Sequence, residues 1–208
     1  MNGATAKNEL VYQALKGDIL NGAYPPDHHL DKEALRRKYG FSTTPTNFAL
    51  IRLFNEGLLE KRGRDGFYTR RALQPTELKE IYLATGFVLK IAAEEFLTNC
   101  PNVPIKFNLN MDLDIVTRTE QVFESIACLQ GQFAFHAIAR ANNDRLHLIR
   151  VKKAELFRDR EEELGVLVRT LEARDLSTWA VLIDRYIARR IAALADLVRL
   201  ADQTYRPL

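Results

Sequence analysis

Leu10, Val11, Ala14, Leu15 and Ile19 fall at helical spacing, and Asn21-Gly22 followed by Tyr24-Pro25-Pro26 stops the helix they define. The pattern predicts a second, short helix over Lys32 to Tyr39, with Gly40 where the backbone turns left-handed. Ser42 or Thr43 can cap a third helix and Pro45 suits its first turn, with Ala49, Leu50, Leu53 and Phe54 as the buried face and Asn55-Glu56-Gly57 as the end. Leu58 to Arg62 and Phe67 to Thr69 then read as two short strands around the charged turn Gly63-Arg64-Asp65-Gly66. Helix, helix, turn, helix and hairpin together make a winged helix-turn-helix.

Arg71 to Pro75 reads as a linker, because proline biases its predecessor away from helix and Thr76 can cap the next helix. Beyond it the apolar period is helical nearly throughout. Leu78, Ile81, Tyr82, Val88, Ile91, Ala92 and Phe96 mark one long helix, which Asn99 to Pro104 interrupts. After Asp175, Leu176, Trp179, Ile183, Tyr186, Ile187, Ile191, Leu194, Leu197 and Val198 mark a single last helix. Stripes of this kind build bundles. The expected fold is therefore mainly α: a winged helix-turn-helix of three helices plus a β-hairpin wing over residues 1–73, then an all-α antiparallel helical bundle over 76–208.

The 208 residues suffice for one large domain or two small ones, and 47% hydrophobic with 27% charged residues is the globular average. The uncharged run Ile126 to Ala139 contains Gln130, Gln132 and His136, so no membrane span is expected. The start MNGATAKNEL lacks the pattern of a secretory signal, and the protein reads as cytoplasmic. Cys100 and Cys128 share no metal-binding spacing and read as reduced, Cys128 as core. Residues 1–73 hold 12 Lys/Arg against 8 Asp/Glu while the rest hold 18 against 19, which puts the whole basic excess in the first third. That fits a small nucleic-acid-binding module, although an ordinary solvated surface has the same excess. No nucleophile–base pair, glycine-rich phosphate loop or paired carboxylates stand out. Asp112, Asp114 and the run Glu161-Glu162-Glu163 read as solvated, and neither an enzyme nor a cofactor is expected.

Gly22-Ala23-Tyr24-Pro25-Pro26, Leu30, Leu35, Gly40, Ser42, Thr44-Pro45, Ala49-Leu50, Leu53, Glu56-Gly57-Leu58 and Gly66 succeed one another in order over about fifty residues. This stretch, Ile19 to Arg71, resembles the DNA-binding domain of GntR-family bacterial transcription regulators. Phe135-His136, Asn143 and the segment from Asp175 to Ala180 are similar to the FCD-type helical effector domain of the FadR-like branch. The resemblance implies a homodimeric transcription regulator, a repressor in the first instance, that binds a double-stranded DNA operator and a small-molecule effector. On the family's pattern the DNA-contact candidates are Arg36, Thr43, Thr44, Thr46, Asn47, Arg52, Arg62, Arg64 and Gly66. Two arginines usual in the family are replaced here by Thr43 and Asn47. Arginine forks onto guanine, whereas asparagine pairs with adenine N6 and N7, so the readout shifts. Phe48 suits a thymine methyl or, more simply, packing against a neighbouring element.

The same branch often holds a divalent metal through an aspartate and three histidines. Carried over, these fall on Gln132, His136, Leu164 and Tyr186, although an ungapped alignment puts the first histidine on Ala134. One ligand in four is not a metal cage, and no bound metal is expected. The candidate effector residues are Phe87, Gln132, His136, Arg140, Tyr186 and Arg189, with Phe133 and Trp179 as further walls. A neutral lining favours an apolar or aromatic effector, unless Arg140 or Arg189 turns inward to pair with an acid. Two alternatives stand beside this reading: a helical ligand-binding or catalytic protein with a degenerate DNA-binding module, and an effector-free architectural DNA-binding protein whose bundle interior is filled. In the latter, His136 is a core histidine bonded to Gln132 or Tyr186.

Overall fold

The computed structural model describes residues 3–64, 66–131, 133–152 and 156–203. The chain divides into two compact units, one of the residues up to Ala72 together with those from Ala201 on, the other Leu73–Leu200.

The first unit holds α1 (Gly3–Leu20), α2 (Lys32–Tyr39), α3 (Thr43–Asn55) and an antiparallel hairpin of β1 (Leu59–Arg62) and β2 (Gly66–Thr69). Asp31 caps α2 by accepting from the Ala34 amide at 2.6 Å, and Gly40 ends it at φ 71°, the left-handed conformation that glycine adopts without steric penalty. Val11, Tyr12 and Leu15 of α1 close over Ala49, Leu50 and Leu53 of α3, with Leu30, Leu35, Leu58, Leu59 and Phe67 completing the core. Phe54 departs from the expected buried face: it is 40% exposed and touches Phe67 edge-on at 6.3 Å. The pattern also missed a short pairing beside β2, in which the Leu30 amide donates to Phe67 O at 2.8 Å and the Thr69 amide to His28 O at 3.0 Å. Such pairing depends on residues some forty positions apart, which local periodicity does not register.

The second unit is helical: α4 (Pro75–Asn99), α5 (Ile115–Ala127), α6 (Phe133–Lys152), α7 (Arg160–Glu172), α8 (Leu176–Ala192) and α9, which begins at Leu194 and runs to Gln203. The fold class is therefore the one expected, a winged helix-turn-helix followed by helices, with four local corrections. Gln74, not Thr76, caps α4, in a reciprocal capping box with Glu77. The single last helix is two, because Ala193 closes α8 with a tight turn onto Arg190 O at 3.2 Å. Asp114 is not merely solvated: it caps α5, accepting from the Val116 and Thr117 amides at 2.8 and 3.1 Å. Cys128 is exposed rather than core, just past the end of α5. The turn between α7 and α8 is tied to the end of α4 by Arg174, whose guanidinium donates to Cys100 O at 3.0 Å and to Leu97 O at 3.3 Å.

Candidate nucleic-acid interface and interior cavity

α3 is oriented by its apolar face, since Pro45, Ala49, Leu50 and Leu53 are buried. The opposite face leaves Thr43, Thr44, Phe48 and Ile51 exposed and Asn47 half-buried. Ser42 precedes the helix in extended conformation and makes no side-chain capping bond, so first-turn amides are open to an external acceptor such as phosphate. Thr46 does not belong to this face. It is 2% exposed and its hydroxyl donates to Ser42 O at 3.0 Å, satisfying itself within the helix. Phe48 lies on the surface, 43% exposed, rather than packed.

Arg52 is also drawn into the fold rather than left for phosphate. Its guanidinium stacks 3.5 Å from the Tyr12 ring centroid and bonds Glu9 at 2.7 Å and Glu56 at 3.1 Å. Glu56 additionally accepts from the Tyr12 hydroxyl and from Lys16. Burial alone would raise the Glu56 pKa, but these donors outweigh it and hold the carboxyl below its ordinary value. Arg36 lies on α2, paired with Glu33 at 2.7 Å.

At the wing, Arg62 pairs with Gly66 across the hairpin, and a Cβ on Gly66 would stand 2.8 Å from both Arg62 O and Tyr68 Cε2. Only glycine fits that tight turn. Arg62 is held by Asp27 and Glu60 with its guanidinium 4.9 Å over the Tyr68 ring, whereas Arg64 is exposed at the tip.

In the helical unit Ile115, Val116, Leu164 and Tyr186 wall a narrow cavity of about 10 Å³, roomy enough for about one water, that carries Arg150, Arg160, Glu163 and Arg190. Arg150 on α6 and Arg190 on α8 are each 1% exposed. Nη1 of Arg150 donates to Asn143 Oδ1 at 2.8 Å and to Glu120 at 3.2 Å. Arg190 meets Glu163 through both terminal nitrogens and stacks 3.5 Å from the Tyr186 ring centroid. Burial lowers the Arg190 pKa, yet the neighbouring Tyr186 and Glu163 more than compensate and keep it charged. Burial pushes the Tyr82 hydroxyl above its ordinary range, Tyr186 adds to this, and Arg150 and Arg190 oppose it, so Tyr82 stays a neutral donor.

Residues 7–69 match the family model of bacterial regulatory proteins of the gntR family. These residues, which fold as a winged helix-turn-helix, are similar to that family's domain. The chain is 33% identical over 95 residues to the HTH-type transcriptional regulator YdhC of Bacillus subtilis (strain 168), a match covering 42% of each. It spans about two fifths of the length of the curated relatives it matches. Over the whole fold it is similar to a chain of Rhodococcus sp. RHA1 described as a GntR transcriptional regulator, with TM-score 0.73 at 15% identity, covering 92% of this chain and 98% of that one. McbR/YncC of E. coli superposes with TM-score 0.61 at 18% identity, covering 91% and 97%. No helix among the described residues is long and apolar enough to cross a membrane.

Beyond the winged helix-turn-helix, the structure divides the effector candidates. Tyr186 is buried and lines the arginine-bearing cavity. His136 lines a different one, with Phe107, Gln121 and Ser125, and its Nε2 stands 3.6 Å from Glu124. Gln132 lies outside the described residues. Phe87 and Phe133 are not interior walls, being 63% and 89% exposed, whereas Trp179 is fully buried. The inward arginines are not Arg140, which is exposed, or Arg189, which reaches Asp159 and Glu163 from the half-buried rim. They are Arg150 and Arg190. Nor is the acidic run simply wet: Glu163 clasps Arg190, and Glu161 clasps buried Arg118. The metal implied by the resemblance does not fit, because Leu164 offers no donor and His136 faces another cavity. Among the described residues no three His, Cys, Asp or Glu side chains gather to hold one.

Proposed function

We propose that the chain is a cytoplasmic DNA-binding transcription regulator of the GntR family. It acts as a homodimeric repressor on a two-fold operator and is released by a small molecule bound in its FCD-type helical domain. The observation that supports this most is the outward face of α3, where Thr43, Thr44, Phe48 and Ile51 are exposed around a half-buried Asn47, in a domain whose wing tip presents Arg64. A helix of this width fits the major groove. Asn47 pairs with adenine N6/N7, and Phe48 and Ile51 meet thymine methyls, so the half-site is rich in A·T pairs. Arg36, Arg64 and the α3 amino terminus hold phosphates, with Arg62 braced behind them.

A mobility-shift titration with DNA from upstream of the chain's own gene, over a salt series, tests the reading. The expected result is saturable binding tighter than to random DNA, weakened when uracil replaces thymine in the half-sites. Equal affinity for random and upstream DNA overturns it in favour of a degenerate module.

A further inference from the structure

The connection between α4 and α5, residues 100–114, carries no helix or strand, and a connection of that length in a compact domain is usually functional. Its middle is pinned to the helices: Ile105 is buried, and the Phe107 amide donates to Glu172 at 2.9 Å. Asn108 and Leu109, which follow, make no main-chain hydrogen bond among the described residues. They help to wall an open cleft of about 360 Å³, within the range of about 300–1,000 Å³ that small-molecule sites occupy. α5 supplies another wall, with Gln121 and Ser125 one turn apart on its exposed face, and His136 of α6 adds a third. The charge of the cleft has one sign. Among the described residues that line it, Glu124 is the single carboxylate and none is lysine or arginine. Glu124 Oε1 accepts from Asn143 Nδ2 at 3.0 Å, but Oε2 accepts no hydrogen bond among the described residues, since His136 Nε2 stands 3.6 Å away, beyond hydrogen-bonding distance.

We propose that this cleft binds a small organic cation, a primary ammonium seated on Glu124 Oε2 with its carbon body against Phe107, Leu109 and Val122. The proposal rests on the reading of the helical domain as the sensory part, and it names the class of effector and its place. The cleft shares no lining residue with the arginine-bearing cavity among the helices. An ammonium has three N–H donors and no acceptor, and the cleft answers it with the carboxylate and the side-chain oxygens of Asn108, Gln121 and Ser125. A carboxylic acid is repelled by Glu124, and a neutral isostere forgoes the charge-assisted bond.

The test is calorimetry and thermal melting of the full chain with benzylammonium, methylammonium, neutral benzyl alcohol and benzoate. Saturable binding of benzylammonium, with none of benzyl alcohol or benzoate, is expected. Glu124→Gln keeps the shape and an acceptor for Asn143 but removes the charge, and weakens binding by roughly tenfold or more. Ser125→Arg, at an exposed position of α5, brings a competing cation into the cleft and abolishes binding while the chain melts as before. Benzyl alcohol or benzoate binding as well as benzylammonium, undiminished binding in folded Glu124→Gln or Ser125→Arg, or no binding of benzylammonium overturns the proposal. Methylammonium binding more tightly than benzylammonium overturns the part played by the apolar walls. A parallel mobility shift separates the two readings: a chain that shifts DNA but binds no ammonium loses only this inference. One that binds benzylammonium but shifts no DNA keeps it and loses the regulator.

Discussion

Replacing Glu56 with alanine removes an acceptor on which the amino-terminal unit closes. The carboxylate takes the Tyr12 hydroxyl at 2.7 and 2.8 Å and Lys16 at 3.2 Å, linking α1 to the end of α3 across 40 or more residues of chain, and Arg52 of α3 itself at 3.1 Å. Tyr12 is fully buried, so its bond to a charged acceptor is worth about 1.5–3 kcal/mol. The two ion pairs are partly wetted, with the Glu56 side chain 23% exposed, and together add about 1 kcal/mol at most. The expected loss is about 2–3 kcal/mol, or roughly 10–20 °C in the melting of a domain this small. Far-UV circular dichroism of the full chain reads that transition. Trp179, the single tryptophan, lies in the helical unit, and its fluorescence serves as an internal control that should not move. Acid adds a signature. The Glu56 pKa is lowered on folding, so its contribution is complete above the unfolded value of 4.5 and disappears as pH falls through the lower folded value. Glu56→Ala lacks that part of the acid sensitivity. A variant melting within about 2 °C of the parent, with an unchanged pH profile, refutes the account of the network.

Asn47→Ala should cost about 1–3 kcal/mol on the cognate operator and relax preference at one base pair per half-site, read by affinity across a base-substituted series. Arg64→Ala should weaken binding to all sequences alike and lower the salt slope by about one unit, while Arg62→Ala, already neutralised by Asp27 and Glu60, should change the slope less. Asp114→Ala should destabilise the helical unit by about 0.5–2 kcal/mol through loss of the α5 cap, measured by urea titration followed through Trp179. A chelator should leave melting and DNA binding unchanged, and stoichiometric metal lost together with stability would contradict this.

Most of the first unit was legible because its signals are local. Asp31, Gly40, Pro45 and the Gly63 to Gly66 turn each act on the few residues around them, and the period of α3 separates its outward Thr44, Asn47 and Phe48 from its inward Ala49 and Leu50. The interior of the second unit was legible only in part. Arg190 falls three and four residues after Ile187 and Tyr186, continuing the stripe of Trp179 and Ile183, and Arg150 continues that of Asn143 and Leu146 in the same way. That continuation was the available signal. It was outweighed because an arginine is usually solvated, and because Arg140 and Arg189 fit helical spacing equally well.

The sequence by itself determined the helix-turn-helix, the hairpin and the helical remainder, since all of these arise from residue type, spacing and short-range capping. The tertiary structure alone decided which charges are inside. Burial of Arg150 and Arg190 requires Glu120 of α5 and Glu163 of α7 to arrive from other helices with the correct geometry, and withdrawal of Arg52 and Thr46 from the surface depends on Tyr12, Glu9 and the Ser42 carbonyl. A charged side chain goes where its partners are. Those partners lie up to 43 residues away in the chain, beyond the reach of any periodic pattern.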